Sequence, residues 1–500
     1  MDGQLRRSHF KAFGLTMACV LIFWCGHAAA QRPEPSASVK TIAAGDSEVS
    51  GELDVALEGF DAPAEADSEL EGILEAFDGA GESPGTEPYP HQKTAPDWLH
   101  LSGSATYAAT VNLVSHRAPP EKIDHKGLSR LRTELDLAAD LELPRSWRAR
   151  VAGQAFYDWA YRIRGRDSFT HEVLDTYEKE AELGETWIRG SPVNGLDMKI
   201  GRQIVVWGKS DNIRVTDIIN PLDIREPGMT DIEDLRLPVA MTRLDYGFGN
   251  WNLTGLVIHE VRFDKLPEYG SDFYPSPVPL PDEETPSCRW DNQEAGLALN
   301  GVFSGWDLSL YGAYVFDDDA RLKPMGNDGF ERRHDRLAMV GAAVNIARGN
   351  WLFKSEAAWL KGLTFAAAPG DEKSRLDVLL GIEYAGISDT TISLEAADRH
   401  LCDYNARLSE GPEWVAEDDF QWALRISRNF LHERLEATLL ANVFDALGQN
   451  GAFERAELSY DLNDRWELSG GLVLYHSGDK PAFQDIGDND RLFFGLKYSF

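Results

Sequence analysis

The chain has 500 residues, a formal net charge of −33 and a hydrophobic fraction of 43%, enough apolar material for several ordinary domains or for one large closed sheet. So large an excess of carboxylates repels phosphate backbones and argues against nucleic acid as a partner. Beyond the first 30 residues no apolar run reaches the ~18 residues that a membrane-crossing helix needs, which excludes a helical membrane protein.

Residues 1–30 read as a secretory signal. Arg6, Arg7 and Lys11 form the positive region, Gly14 to Cys25 the apolar stretch, and Ala28, Ala29 and Ala30 the small-residue cleavage site. The arginine pair resembles a twin-arginine signal, but Phe10 is displaced by one from that pattern, so the general secretory reading is preferred. Cys19 and Cys25 leave with the signal, and the mature chain keeps Cys288 and Cys402, both in segments expected to be exported loops. An oxidising compartment permits a disulfide between them; two separate thiols fit as well.

Residues 31–97 carry sixteen Asp and Glu against three Lys and Arg, with abundant Pro, Gly, Ala and Ser, the composition of a linker that buries too little to order itself. Within it GELDVALEGFD, Gly51 to Asp61, recurs as SELEGILEAFD, Ser68 to Asp78. Leu53, Leu57 and Phe60 match Leu70, Leu74 and Phe77, and the i, i+4, i+7 spacing puts each trio on one helical face suited to a partner's groove. A tandem periplasmic docking peptide and a plain solvated linker both fit two such short copies.

From Trp98 onward apolar and polar residues alternate in stretches of about ten, the mark of half-buried strands. The pattern divides into eighteen strands, fourteen at the least. It begins with LHLSGSATYAATVNL and LRTELDLAADLEL, continues through WRARVAGQAFYDWAY (Trp147 to Tyr161), a weaker AELGETWIR and LDMKIGRQIVVW (Leu196 to Trp207), and ends with RLFFGLKYSF. Short turns such as LPRS, FGN and RGN switch with long polar connections: Gly208 to Pro238, Arg262 to Asn292, Asp317 to His334 and Arg399 to Asp419. Trp147, Trp251, Trp306, Trp351 and Trp466 each follow a short turn and share parity with the apolar face, as an aromatic girdle at one membrane interface requires. The predicted fold is all-β: a closed antiparallel transmembrane barrel over residues 98–500.

In the last strand Leu492, Phe494, Leu496, Tyr498 and Phe500 alternate toward lipid, with Arg491, Gly495, Lys497 and Ser499 toward the lumen. Because lipid offers no hydrogen-bond partner, this strand must pair with the first. The five apolar residues with their terminal aromatic resemble the signal read by the barrel-assembly machinery, which implies a Gram-negative outer membrane containing lipopolysaccharide. A narrower resemblance rests on Gly201 to Pro227, GRQIVVWGKSDNIRVTDIINPLDIREP. Gly201, Arg202, Gln203, Trp207, Gly208, Asn220, Pro221 and Asp223 resemble the GRQ, WG and NP-D segment of a bacterial outer-membrane barrel family of unknown function, distantly similar to substrate-selective porins and alginate-export barrels. The resemblance implies a partner among periplasmic or inner-membrane exporter components, for which the 51–78 repeat is the candidate contact.

The connection from Gly208 to Pro238 holds Ile213, Val215, Ile218, Ile219, Leu222 and further apolar residues that water disfavours, so its expected place is inside the barrel mouth. There Asp211, Arg214, Asp217, Asp223, Arg225 and Arg236 would form a constriction; a short capping helix is the alternative. Lumen parity puts Arg130, Arg132, Arg148, Arg150, Lys199 and Arg243 on early strands and Glu356, Glu383, Glu395 and Glu436 on later ones. Two readings follow: walls of opposite sign with a transverse field, or interior charges that pair among themselves. Arg202 has lipid parity, so a bulge re-aims it or it reaches the outer interface.

No GxSxG, HExxH or CxxC motif occurs, and His100, His259, His400 and His476 stand singly. Solvated loop charge is preferred over cation sites at Asp317 to Asp319 and Glu417 to Asp419. The expectation is a porin-like channel or substrate-selective transporter, not an enzyme, with no cofactor. Its rivals are a non-conducting barrel that anchors an exporter and, more remotely, an outer-membrane hydrolase.

Overall fold

The computed structural model describes residues 96, 98–119, 123–325, 329–410, 413 and 415–500; the expected signal, acidic linker and tandem repeat lie outside them. Eighteen strands build the wall. They are β1 (Leu99–Asn112), β2 (Gly127–Leu143), β3 (Trp147–Asp158), β4 (Lys179–Val193), β5 (Leu196–Gln203) and β6 (Val239–Phe248). Next come β7 (Trp251–Ile258), β8 (Glu294–Phe303), β9 (Trp306–Phe316), β10 (Arg336–Arg348), β11 (Trp351–Leu363) and β12 (Lys373–Ile387). The last six are β13 (Thr390–Leu401), β14 (Asp418–Phe430), β15 (Leu435–Phe444), β16 (Ala452–Asn463), β17 (Trp466–His476) and β18 (Arg491–Ser499).

Each strand pairs antiparallel with the next, and β18 returns to β1 in the register Asn112↔Arg491 to Ser104↔Ser499. Phe500 completes the seam, since its N–H and C=O exchange 3.0 Å bonds with those of Gly103. Closure therefore leaves no sheet edge at this junction, as a membrane sheet requires. Leu492, Phe494 and Phe500 are 48%, 46% and 52% exposed while Arg491 is 1% exposed, which fixes the outer and inner faces.

The short turns lie at one end and the long connections at the other. Gly249 and Gly349 take φ of 58° and 60° in the two-residue turns before Trp251 and Trp351, the conformation that a glycine at the first turn position supplies. The five predicted tryptophans are the first residues of β3, β7, β9, β11 and β17. Phe303 lies at 5.4 Å from Trp251 and 4.3 Å from Trp306, Trp351 meets Tyr384 at 4.3 Å, and Trp466 meets Tyr498 at 4.8 Å. These pairs place aromatic clusters at the short-turn rim.

Three local features depart from the alternation. The chain leaves β3 at Asp158, short of Tyr161, because the Asp158 carboxylate accepts the Ala160 N–H (3.0 Å) and the Leu131 N–H (2.9 Å) and starts a helix at Ala160–Arg164. The weak alternation of β4 has a physical cause in a register shift opposite Val151 and Gly153. The extra residue turns Glu180 and Glu182 inward above it and Trp187 and Arg189 inward below it. Finally, β5 stops at Gln203 instead of Trp207, and residues 204–238 enter the lumen.

Candidate functional site: a lumen crossed by a loop

The neck of the inserted loop is built from the motif residues. Gly201, at φ 132°, lies so close to β4 that a Cβ would stand 2.2 Å from the Thr186 carbonyl oxygen. Arg202 keeps its outward register opposite Thr186 and pairs with Glu260 through two bonds of 2.9 and 2.7 Å, so no bulge turns it inward. Gln203 is fully buried and donates to the Met241 carbonyl (3.2 Å). Asn220, also fully buried, accepts the Val205 N–H (2.8 Å) and donates to the Gln203 (3.2 Å) and Leu237 (2.9 Å) carbonyls. One amide thus ties together the two places where the loop leaves and rejoins the wall. The Pro221 carbonyl receives Leu237 N–H at 2.7 Å and the Asp223 N–H donates to Leu235 at 2.8 Å, extending the clamp.

From Trp207 to Ile219 the loop has no ladder partner, and wall carboxylates replace one. Glu356 on β11 accepts the N–H groups of Lys209 (2.5 Å), Ser210 (2.8 Å) and Thr216 (3.1 Å) and the Thr216 hydroxyl (2.7 Å). Glu395 on β13 accepts Asp211 N–H (3.0 Å), Asn212 N–H (2.9 Å) and the Ser210 hydroxyl (2.7 Å). Gly208 is required here, because a Cβ would stand 2.8 Å from both Glu356 oxygens at a φ of 89°. Trp207 stacks on Tyr311 at 4.9 Å, and Ile213, Val215 and Ile219 pack among lumen-facing apolar residues of β6 to β14. Burial of the apolar half of the loop and charge-assisted bonds to its backbone therefore act together. No helix forms in residues 204–238, so the capping-helix alternative does not hold.

The loop then reaches further strands of the wall. Glu226 meets Arg130 of β2, the Pro227 carbonyl accepts the Tyr475 hydroxyl of β17 (2.7 Å), and Asp231 pairs with Arg425 of β14 (2.9 Å) and with Arg455 of β16. A second connection, residues 259–293, also turns inward. Its Lys265 exchanges backbone bonds with Leu222 (2.8 Å) and Ile224 (3.0 Å), and its Asp272 binds Arg491 of β18 (2.9 Å) and Asn112 of β1 (3.2 Å). Burial alone would raise the Asp272 carboxyl, but Arg491 and His125 beside it hold it below the ordinary carboxylate range.

Most of the remaining predicted charges have a partner close by. Arg150 faces Asp140 (3.7 Å), Lys199 faces Glu185 (3.8 Å), Arg243 binds Asp245 (2.8 Å), and Arg132 lies over the Phe156 ring at 3.8 Å. Arg148 stands between Glu142 and Arg189 in cross-strand register. On the other wall Lys354 joins Glu383 (3.5 Å) to Asp211, and Glu436 accepts from Thr438 (3.2 Å). In the loop, Arg214 pairs with Asp217 (3.4 Å), Asp217 with Arg236 (2.9 Å), and Arg225 with Asp223 (2.8 Å) and Glu180 (2.8 Å). Local pairing therefore accounts for Arg150, Lys199, Arg243, Glu383 and the loop charges. Sequence reasoning missed Asp231, Glu226 and Asp272, whose polar loop contexts resemble any solvated turn. Cys288 and Cys402 are both free thiols.

The family described as "Protein of unknown function (DUF1302)" matches residues 121–500. The chain belongs to this family. No curated protein matches the sequence. Among solved structures, the outer membrane protein OpdK of Pseudomonas aeruginosa aligns at 11% identity over 80% of this chain and 98% of its own, with a TM-score of 0.47. OccAB2 of Acinetobacter baumannii aligns at 10% identity over 80% and 98%, with a TM-score of 0.47. OccK2 (OpdF) of Pseudomonas aeruginosa, solved in complex with glucuronate, aligns at 13% over the same shares with a TM-score of 0.45. The family member described here has the fold of a closed eighteen-stranded antiparallel β-barrel.

Proposed function

We propose that this protein is a solute channel of the Gram-negative outer membrane whose conductance is set by the loop of residues 208–238. The observation that carries this reading is the loop's path: it is anchored to Glu356 on β11 and Glu395 on β13 and, nine strands from β11, to Arg130 on β2, with further anchors at Tyr475 and Arg455, so it spans the water path of the barrel. Asp211, Arg214, Asp217, Asp223 and Arg225 then form the constriction, where fixed charge of both signs selects by field and size. Deletion of Ile213 to Glu233 should raise single-channel conductance in planar bilayers several-fold; unchanged conductance defeats the reading.

A specific observation favours a second reading. Two connections, not one, cross the mouth and are bonded to each other, as a non-conducting barrel that anchors a periplasmic or inner-membrane exporter would tolerate. Neither full-length protein nor the deletion variant would then pass current. The acidic repeat at 51–78 is the proposed contact to that partner, and removing Gly51 to Asp78 should abolish its co-purification. Leu492, Phe494, Leu496, Tyr498 and Phe500 are proposed as the sequence bound by the barrel-assembly machinery; omission of Phe500 should lower the fraction of folded barrel reaching the membrane.

A further inference from the structure

The wall is not equally high all round. β5, β6 and β7 have 8, 10 and 8 residues, against 17 in β2 and 15 in β12. Where β5 stops at Gln203 its neighbour continues. Above Thr186, β4 pairs with β3 alone, and among the described residues the edge from Lys179 to Glu185 has no strand beside it. Across the gap β6 begins only at Val239, opposite Gln203.

The aromatic belt gives the depth of this gap. The Trp147 indole lies over Gly190 of β4. Counted upward from there, the ~9–11 residues with which a tilted strand crosses a bilayer end near Glu180. The unpaired edge therefore falls in the outer half of the apolar band, where lipid supplies no hydrogen-bond partner.

Side chains take the place of the missing strand. Arg202 donates to the Leu183 carbonyl of the open edge (2.5 Å) while it grips Glu260, and Glu260 accepts the Ala240 N–H (2.9 Å). Glu185 accepts the Ile204 N–H (3.3 Å). Arg262 pairs with Glu182 and donates to the Pro238 carbonyl (3.0 Å), and Lys265 reaches both Glu180 and Glu182 at 2.6 Å. Ion pairs, unlike a strand ladder, part and re-form without unfolding the wall. The same residues hold the lumenal loop, through Arg225 on Glu180 and through the backbone of Lys265 on Leu222 and Ile224.

We infer that the gap between β4 and β6 is a lateral aperture joining the lumen to the outer leaflet, latched by Glu180 and Glu182 with Arg262 and Lys265, and that its passenger is an amphipath with an acidic head and an alkyl tail. A wholly water-soluble solute gains nothing from an opening at the depth of acyl chains, whereas an alkyl tail is at home there. An anionic head competes with Glu180 and Glu182 for the guanidinium and ammonium of the latch. This inference rests on the channel reading above.

The test uses the full chain carrying Cys288→Ser, Cys402→Ser, Glu182→Cys and Arg262→Cys, reconstituted in phospholipid vesicles and compared with itself before and after a short, reducible bis-thiol cross-linker. The probe is a pyrene-labelled alkyl sulfonate, whose fixed charge opposes unassisted crossing. Cross-linking should slow its protein-dependent transfer at least tenfold, reductant should restore it, and ion conductance of the same sample should change less than twofold. Transfer that ignores the cross-link while ions still pass overturns the aperture and leaves the channel standing. Absence of both ion current and transfer, with and without the cross-link, overturns the channel reading and the aperture with it.

Discussion

The wall and the loop that crosses it satisfy their backbones in opposite ways. In the wall each N–H finds a carbonyl on the neighbouring strand, so side chains are free to sort by solvent, apolar outward and polar inward. In residues 207–219 no strand is adjacent, and the same task falls to buried side chains: Glu356 and Glu395 receive the loop's N–H groups, and Asn220 ties its neck to the wall. Polarity is inverted as well, for the loop turns Ile213, Val215 and Ile219 onto apolar residues of the inner wall. A wall tolerates many substitutions because its ladder is repeated; a loop held by individual side-chain bonds does not.

That contrast is broken most directly by Glu356→Gln combined with Glu395→Gln. Charge-assisted bonds contribute about 1.5–3 kcal/mol each, so loss of both carboxylates should release the loop, raise conductance several-fold and increase current noise, while the heat-modifiable gel mobility of the folded barrel stays as it is. A barrel that fails to fold would show that the wall depends on the loop. Asn220→Ala should cost about 2–3 kcal/mol, since three buried bonds to the neck disappear; limited trypsin cleavage within residues 209–236 measures the loosening and should accelerate about tenfold or more.

Gly201→Ala tests the boundary between the two regimes. A Cβ at φ 132° against the Thr186 carbonyl strains the β4–β5 junction, with an expected loss of about 2 kcal/mol and a lower midpoint in urea unfolding from detergent. A smaller effect lies in pH. Asp264 accepts the Leu222 N–H (2.6 Å) and links the two inward connections; burial, with Asp317 and Asp319 nearby, pushes its carboxyl up to about 6. Because the folded carboxyl holds its proton more tightly than the unfolded one, its contribution to stability is fullest below about pH 4 and falls as pH rises toward 6. Loop flicker in single-channel records should therefore increase between pH 5 and 7, and Asp264→Asn should remove that dependence. Trp466→Phe is expected to have the least effect, below about 1 kcal/mol, because the ring keeps its place beside Tyr498 and only the interfacial N–H is lost.

The sequence by itself determined the wall. Period-two alternation, the spacing of turns and the parity of five tryptophans and of the terminal Phe500 are local properties, and lipid outside with water inside translates them directly into eighteen strands and a closing pair. It also disclosed the motif around Gly201 and Asn220, though not its purpose, since a clamp between residues 203, 220 and 237 exists only when the chain has folded back on itself. What the tertiary structure decided is everything that depends on which walls the loops reach. Glu356 and Glu395 share their inward parity with Glu383 and Glu436, and nothing local marks the first two as anchors. The same holds for the low sector at β5 to β7, where Glu182, Arg262 and Lys265 look like ordinary loop and strand charges until a missing strand brings them together. Alternation is imposed residue by residue by the solvent on each side, whereas pairing across a lumen is imposed by closure, and closure is a property of the whole chain.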